Sequence, residues 1–129
     1  MRTVILILAA GLLLAACSRG APDIDVAAAY DAGTVVKGSP AVAELVVRNL
    51  GDRPLAIAGV STSCGCTKAT MTAMVIPAGG EASLHVVYDS GAHDEDIGLV
   101  ERFIFISSDD PDENDVRIRF TVTVTPKPV

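Results

Sequence analysis

Three cysteines occur in this chain of 129 residues, and two of them, Cys64 and Cys66, flank one glycine within "VSTSCGCTKAT" (60–70). Thiols so spaced can form a disulfide, hold a soft metal ion, or fill a corner of the fold as small apolar groups. In an extended strand, residues two apart face the same way at about 6.6 Å. A disulfide needs its Cβ atoms within roughly 3.5–4.5 Å, so only a sharp turn can join the pair. Gly65 is the residue that would allow that turn, having no Cβ to oppose a positive φ. A bond closed over so short a span is expected to reduce easily, as labile and catalytic disulfides do.

A metal would need more than the pair. Copper(I) would want a third soft ligand, from Met71 or Met74 in "MTAM" or from a partner, and zinc two further nitrogen or sulfur ligands. Both methionines read first as core filler and only weakly as ligands. The two histidines read as exposed and unliganded: His85 falls on the solvent phase of its strand and His93 in an acidic loop. Redox chemistry would need a depressed thiol pKa, for which Lys68 is the only evident nearby cation. No Gly-x-Ser-x-Gly elbow and no phosphate-binding glycine loop is present, so neither hydrolase nor nucleotide chemistry is indicated. No catalytic residue is assigned.

The third cysteine speaks to compartment. The chain opens "MRTVILILAAGLLLAACSRG", with Arg2, an apolar run over 4–16, and then Cys17. That run is shorter than the roughly 20 apolar residues of a spanning helix and has the layout of a secretory signal. "LAAC" (14–17) resembles the lipobox of bacterial lipoproteins, which implies cleavage after residue 16 and a lipid on Cys17. Ser18, by the sorting rules of Gram-negative lipoproteins, then implies an outer membrane location facing the periplasm if the host is Gram-negative. Residues 17–23 form a lipidated tether, in which "SRGAPD" spans at most about 20 Å.

Removing residues 1–16 leaves 113 residues, enough for one domain, and the loss of Arg2 leaves 9 basic against 16 acidic residues. A net charge of −7 repels phosphate backbones and anionic lipid heads, which argues against nucleic acid as a partner. Membrane contact would come from the lipid, and the expected partner is a protein of the envelope.

The elements that must position these cysteines read as strands. "VRIRFTVTV" (116–124) alternates apolar Val116, Ile118, Phe120, Val122 and Val124 with polar residues, and "EASLHVVYD" (81–89) alternates in the same way. "AVAELVVRN" (41–49) is rich in β-branched residues, and "LVERFIFIS" (99–107) is apolar on both faces, as a strand covered on both sides would be. "PLAIAGVST" (54–62) changes phase at Gly59, which predicts a β-bulge. Turn signals separate the runs, and no amphipathic helical window of useful length occurs. About seven short strands at such intervals predict an all-β antiparallel sandwich over 24–125. The loop "SGAHDEDIG" (90–98) and the short tail 126–129 read as solvated, the tail extended by its prolines.

"NLGDRPLAIAGVSTSCGCT" (49–67) resembles the signature of the bacterial domain of unknown function 1573, a family related to the Ig-like ASH and major-sperm-protein domains. "YDAGTVVKG" (30–38), "IPAGGEASLHVVYDS" (76–90) and "SSDDP" (107–111) resemble its other elements, so the likeness spans about 24–124. Ala32, Leu45 and Asp109 depart from its pattern, the first two replacing frequent aromatics and the third the usual Asn. The resemblance implies an Ig-like sandwich, a frequent lipoprotein leader and no established activity. The resulting expectation is a lipid-anchored, non-enzymatic protein-binding or assembly module of the cell envelope. The alternative is a thiol-dependent copper, zinc or redox protein using Cys64 and Cys66.

Overall fold

Residues 20–129 are described by the computed structural model, and the leader with Cys17 lies outside them. Nine strands follow in chain order: β1 (Ile24–Asp25), β2 (Ala29–Val36), β3 (Pro40–Asn49), β4 (Leu55–Thr62), β5 (Thr67–Met71), β6 (Val75–Ile76), β7 (Glu81–Asp89), β8 (Gly98–Ser108) and β9 (Asp115–Thr125). Seven of them are five residues or longer, in keeping with the about seven expected. β3, β4, β7, β8 and β9 are the five runs that read as strands, β2 and β5 are not among them, and β1 and β6 have two residues each, too short for any periodicity to announce. One sheet has the order β1-β3-β7-β5 and the other β2-β9-β8-β4-β6. This is the expected all-β, Ig-like sandwich.

Alternation dictates the core. Ala41, Ala43, Leu45 and Val47 on β3 face Ala82, Leu84, Val86 and Tyr88 on β7, and all are buried. Ile118, Phe120 and Val122 on β9 lie opposite them with Ile104 and Ile106 of β8, none of the five being accessible to solvent. The bulge falls where the phase change placed it: Ile57 pairs with Ser108 and Gly59 with Ser107, leaving Ala58 as the extra residue.

Two expectations are corrected. β2 pairs with β9 in parallel, with Tyr30 stacked on Phe120 at a centroid distance of 6.2 Å, so the sandwich is not wholly antiparallel. Period-2 alternation carries no sign of strand direction. β8 is covered on one face only. Phe105 remains 37% exposed, and the Arg117 guanidinium lies over the Phe103 ring at 4.8 Å, so a long cationic side chain shields that outer face in place of a third layer.

At the end of the sandwich where the chain enters, Asn49 is fully buried. Its Oδ1 accepts from the Asp23 and Gly51 amides (3.1 and 3.0 Å), and its Nδ2 donates to the Arg53 and Ile76 carbonyls (2.6 and 3.1 Å). Gly51 has to be glycine because a Cβ there would lie 2.1 Å from the Ala21 carbonyl oxygen. Ala21 and Asp23 accept backbone hydrogen bonds from Asp52 and Leu50, so the chain is docked on the domain from Ala21 onward. Asp110, also buried, accepts the amides of Ile24, Asp112 and Glu113, and Asp109 Oδ1 accepts the Ala56 amide as an asparagine carbonyl would. Residues 126–129 follow β9 as an exposed tail without regular structure.

Candidate functional site

The cysteines lie at the other end. β4 belongs to one sheet and β5 to the other, so residues 63–66 are the crossing between sheets. Both sides of that crossing are tied down. Ser63 exchanges hydrogen bonds with Phe103, its amide donating to the Phe103 carbonyl and its Oγ accepting the Phe103 amide, both at 2.9 Å. The Thr62 hydroxyl lies 2.9 Å from the Cys64 carbonyl and 2.8 Å from that of Thr67, bridging the turn. The Thr67 amide donates to the Cys64 carbonyl (3.1 Å), which brings the two cysteine Cα atoms to 5.2 Å, and Cys64 and Cys66 are disulfide-bonded.

Gly65 achieves this without the conformation expected of it. Among the described residues the glycines with positive φ are Gly33, Gly38, Gly79 and Gly98, and a Cβ on Gly65 would meet nothing within 4 Å. Gly65→Ala is therefore expected to leave stability unchanged or raised by up to about 1 kcal/mol, because the unfolded chain loses freedom at no folded-state cost. Urea denaturation checks this, and a loss of more than about 1 kcal/mol would show that glycine's freedom is needed after all.

The surroundings of the sulfurs were not legible in the sequence. The loop after β7 folds back over the turn and brings His93, half-buried, to 3.3 Å between Nε2 and Cys64 Sγ. On β8, Arg102 donates from Nε to Cys66 Sγ at 3.2 Å. Its Nη2 donates to Asp96 Oδ2 at 2.7 Å, and the same oxygen accepts the Tyr88 hydroxyl at 2.7 Å. The Asp96 and Arg102 side chains are only 11% and 19% exposed, and the guanidinium also stands 5.8 Å from the centre of the Tyr88 ring. Lys37 holds the loop from the far side through the His93 and Asp96 carbonyls. Ser90 accepts the Gly38 amide (2.9 Å) and donates to the Ser39 carbonyl (2.6 Å).

These contacts shift the acids and phenol. Burial by itself raises the Asp96 pKa, but the hydrogen bonds from Tyr88 and Arg102, with the charges of Arg102 and His93, outweigh it and hold the carboxyl below its ordinary 3.8. The Tyr88 phenol is pushed well above its ordinary range, first by burial and then by its bond to Asp96. The row thus runs as a neutral phenol, a carboxylate, a guanidinium and a sulfur.

The loop was expected to be solvated, and its middle is, but Ser90 and Asp96 are buried. His93, expected to be unliganded, is in contact with Cys64; His85 lies on the outer face as expected, against Glu44. Met71 and Met74 are not brought to the cysteines. Met71 packs on the core at the far end of β5, roughly 13 Å of strand beyond Thr67. Met74 is 45% exposed in the following turn. Lys68 is exposed and, with Gly65, Cys66, Val87, Asp89 and Ala92, lines a pocket of about 340 Å³ beside the turn. Cys64 Sγ, Cys66 Sγ and a His93 nitrogen lie within 4.8 Å of one another, so a soft cation could gather all three once the disulfide is opened. Among the described residues, no helix is long and apolar enough to cross a membrane.

The sequence matches the family described as "Protein of unknown function (DUF1573)" over residues 26–124. No curated protein matches it. Among solved structures, a protein of unknown function from Porphyromonas gingivalis W83 superposes with a TM-score of 0.73 at 23% identity, over 79% of this chain and 46% of the other. This chain therefore spans less than half the length of that protein. The ASH/PapD-like domain 7 of human CEP192 gives 0.66 at 8% identity, over 84% and 89% of the two chains. The E. coli chaperone DraB gives 0.52 at 14%, over 81% and 55%. Identities this low establish a shared fold and nothing finer.

Proposed function

This chain belongs to the DUF1573 family of proteins of unknown function, and from that premise we propose that it is a non-enzymatic protein-binding or assembly module, held at the cell envelope by a lipid on Cys17. The observation that carries the binding role is the open edge at β5. β5 pairs with β7 on one side, and among the described residues no strand lies on its other side. The Asp89 amide donates to the Cys66 carbonyl and the Thr72 amide to that of Ser83, so residues 66, 68, 70 and 72 bond to β7. Antiparallel alternation then turns the amides and carbonyls of Ala69 and Met71 outward, a row that an added strand could satisfy. DraB, a chaperone, is built on a sandwich of this kind; the likeness carries the fold, and the edge carries the reading.

Anchoring gives the edge a direction. The chain enters beside Asn49 at one end of β3, and the disulfide turn sits near Pro40 and Asp89 at the other, about 30 Å away along a ten-residue strand. A lipid on Cys17 with a tether docked from Ala21 would hold the first end near the bilayer and present the turn to the aqueous space.

Two readouts in cells test the proposal. Cys17→Ser is expected to leave unprocessed precursor and abolish lipid labelling, and normal acylation of that variant would sink the anchor. A photo-crosslinking residue at exposed Thr70 on β5 is expected to give a discrete protein adduct that Ala69→Pro removes, since proline deletes only an outward amide there. The same probe at Leu99 on β8, 73% exposed, is expected to give none. No adduct at Thr70, or equal adducts at both sites, would overturn the edge as the binding surface.

A further inference from the structure

The disulfide turn has what a thiol-exchange centre needs, and it has them on opposite sides of the bond. We propose that Cys64–Cys66 accepts electrons from an external dithiol, with Cys64 the sulfur attacked and Cys66 the sulfur that leaves, Arg102 stabilising the departing thiolate. The asymmetry is geometric. Cys64 is half-buried, whereas Cys66 is only 6% exposed, so an incoming thiolate reaches Cys64 first. Cys66 Sγ lies 3.2 Å from Arg102 Nε, a donor already aimed at the atom on which negative charge develops.

That aim is held by the fold. Arg102 is fixed through Nη2 on Asp96, and Asp96 through the Tyr88 hydroxyl, both at 2.7 Å, with Tyr88 fully buried in the core. A surface arginine would wander among rotamers; this one is clamped at its far end, which keeps Nε on the sulfur. His93 Nε2 stands 3.3 Å from the other sulfur, where an incoming thiol must arrive, and can accept its proton or orient it. None of this is required to hold the turn together, since the bonds of Thr62, Ser63 and Thr67 already do so.

The electrons and atoms balance as follows. One sulfur of the dithiol, as thiolate, attacks Cys64 Sγ; a new S–S bond forms, the Cys64–Cys66 bond breaks, and Cys66 departs with the electron pair. The second thiolate of the reductant then attacks its own sulfur in the mixed disulfide, and Cys64 leaves as a thiolate. Two electrons pass from the dithiol to the protein, the reductant becomes a disulfide, and its two protons are available to Cys64 and Cys66. Run in reverse, the reduced pair passes its electrons to another disulfide.

The test uses the full chain purified in detergent. Reduced Cys66→Ser, which retains Cys64, is expected to take up one glutathionyl group from oxidised glutathione at least about tenfold faster than Cys64→Ser, followed by intact mass. With both cysteines present, Arg102→Met is expected to slow reduction of the disulfide by dithiothreitol by about tenfold or more, and Arg102→Lys to recover part of that loss because the charge returns without the Nε donor. The serine pair keeps the proposal testable if Arg102→Met does not fold. Equal glutathionylation of the two serine variants, or Arg102→Met reduced at the wild-type rate, would overturn it. So would a reduced protein that binds one zinc ion per chain and fails to react with oxidised glutathione, which would make the turn a metal site.

Discussion

Asn49→Ala is expected to cost about 3–5 kcal/mol of folding stability, as much as truncating a large aromatic in the core. The side chain is inaccessible to solvent and closes four backbone groups: the amides of Asp23 and Gly51 and the carbonyls of Arg53 and Ile76. These belong to the entry segment, the β3–β4 turn and β6, which Asn49 gathers at one point in addition to the short β1–β3 and β4–β6 pairings. Truncation leaves two donors and two acceptors without partners, each worth about 1–3 kcal/mol where water cannot replace the amide. Two of the four lie in surface turns where water can reach them, which brings the sum down to the range given. Set against a typical total of about 5–15 kcal/mol, the melting temperature should fall by well over 10 °C. Thermal and urea unfolding measure it. Asn49→Asp sharpens the test, since a carboxylate can still accept the two amides but faces the Arg53 and Ile76 carbonyls with no donor. An aspartate variant as stable as wild type would show that the two donated bonds are worth nothing.

Asp96→Ala is expected to cost about 3 kcal/mol, because it strips two partners at once. The Tyr88 hydroxyl would be left in the core with no acceptor, and the Arg102 guanidinium would lose the carboxylate that neutralises it at 19% exposure. The pH dependence has a definite sign. Burial raises the Asp96 pKa and hydrogen bonds and charges lower it more; for Asp110, burial raises it and the amides of Ile24, Asp112 and Glu113 lower it more. Both folded pKa values therefore lie below the ordinary 3.8 of the unfolded chain. Such groups contribute stability that is fully present above the unfolded value and is lost as pH falls through the folded one. The wild-type protein is expected to be stable to acid down to about pH 4 and to weaken steeply below it. Asp96→Asn should start from lower stability at pH 7 and lose less between pH 4 and pH 2, because one of the two linked protons is gone. A variant whose stability falls in parallel with wild type over that interval would show that Asp96 is not one of the groups responsible.

Comparing strands with loops separates what local chemistry determines from what it leaves open. The alternation of Val116, Ile118, Phe120, Val122 and Val124 names both a strand and its buried face, and the structure buries all five. The phase change at Gly59 names a bulge, and one extra residue lies there. Asn49, Gly51 and Pro54 occur together in the family signature, and the first two prove to be a buried hydrogen-bond hub and a point of backbone contact. The strand and the bulge were readable because the signal lies within a few residues of the feature it specifies, whereas Asn49 and Gly51 were marked only by the family resemblance, their partners Asp23, Ile76 and Ala21 lying 26 or more residues away. Period 2 is a property of consecutive residues and needs no partner to be recognised.

Everything that surrounds the disulfide was decided by the tertiary structure. His93 reaches Cys64 across 29 residues and Arg102 reaches Cys66 across 36, and neither sits at a spacing that any motif would mark. Arg102 looks, from its neighbours, like one more polar residue on a strand, and Asp96 like one of several acids in a solvated loop. What distinguishes them is that Tyr88, next to the end of β7, has a buried hydroxyl requiring an acceptor, which draws Asp96 and its loop inward, bringing His93 to Cys64 and holding Arg102 of β8 against Cys66. The parallel run of β2 on β9 and the one-sided cover of β8 belong to the same class. The sequence alone determined that there would be strands, a sandwich and a cysteine turn, because those follow from side-chain alternation and short-range turn chemistry. Only packing decided what the cysteines face, because a loop settles wherever its few buried polar groups find partners, and those partners are distant in the chain.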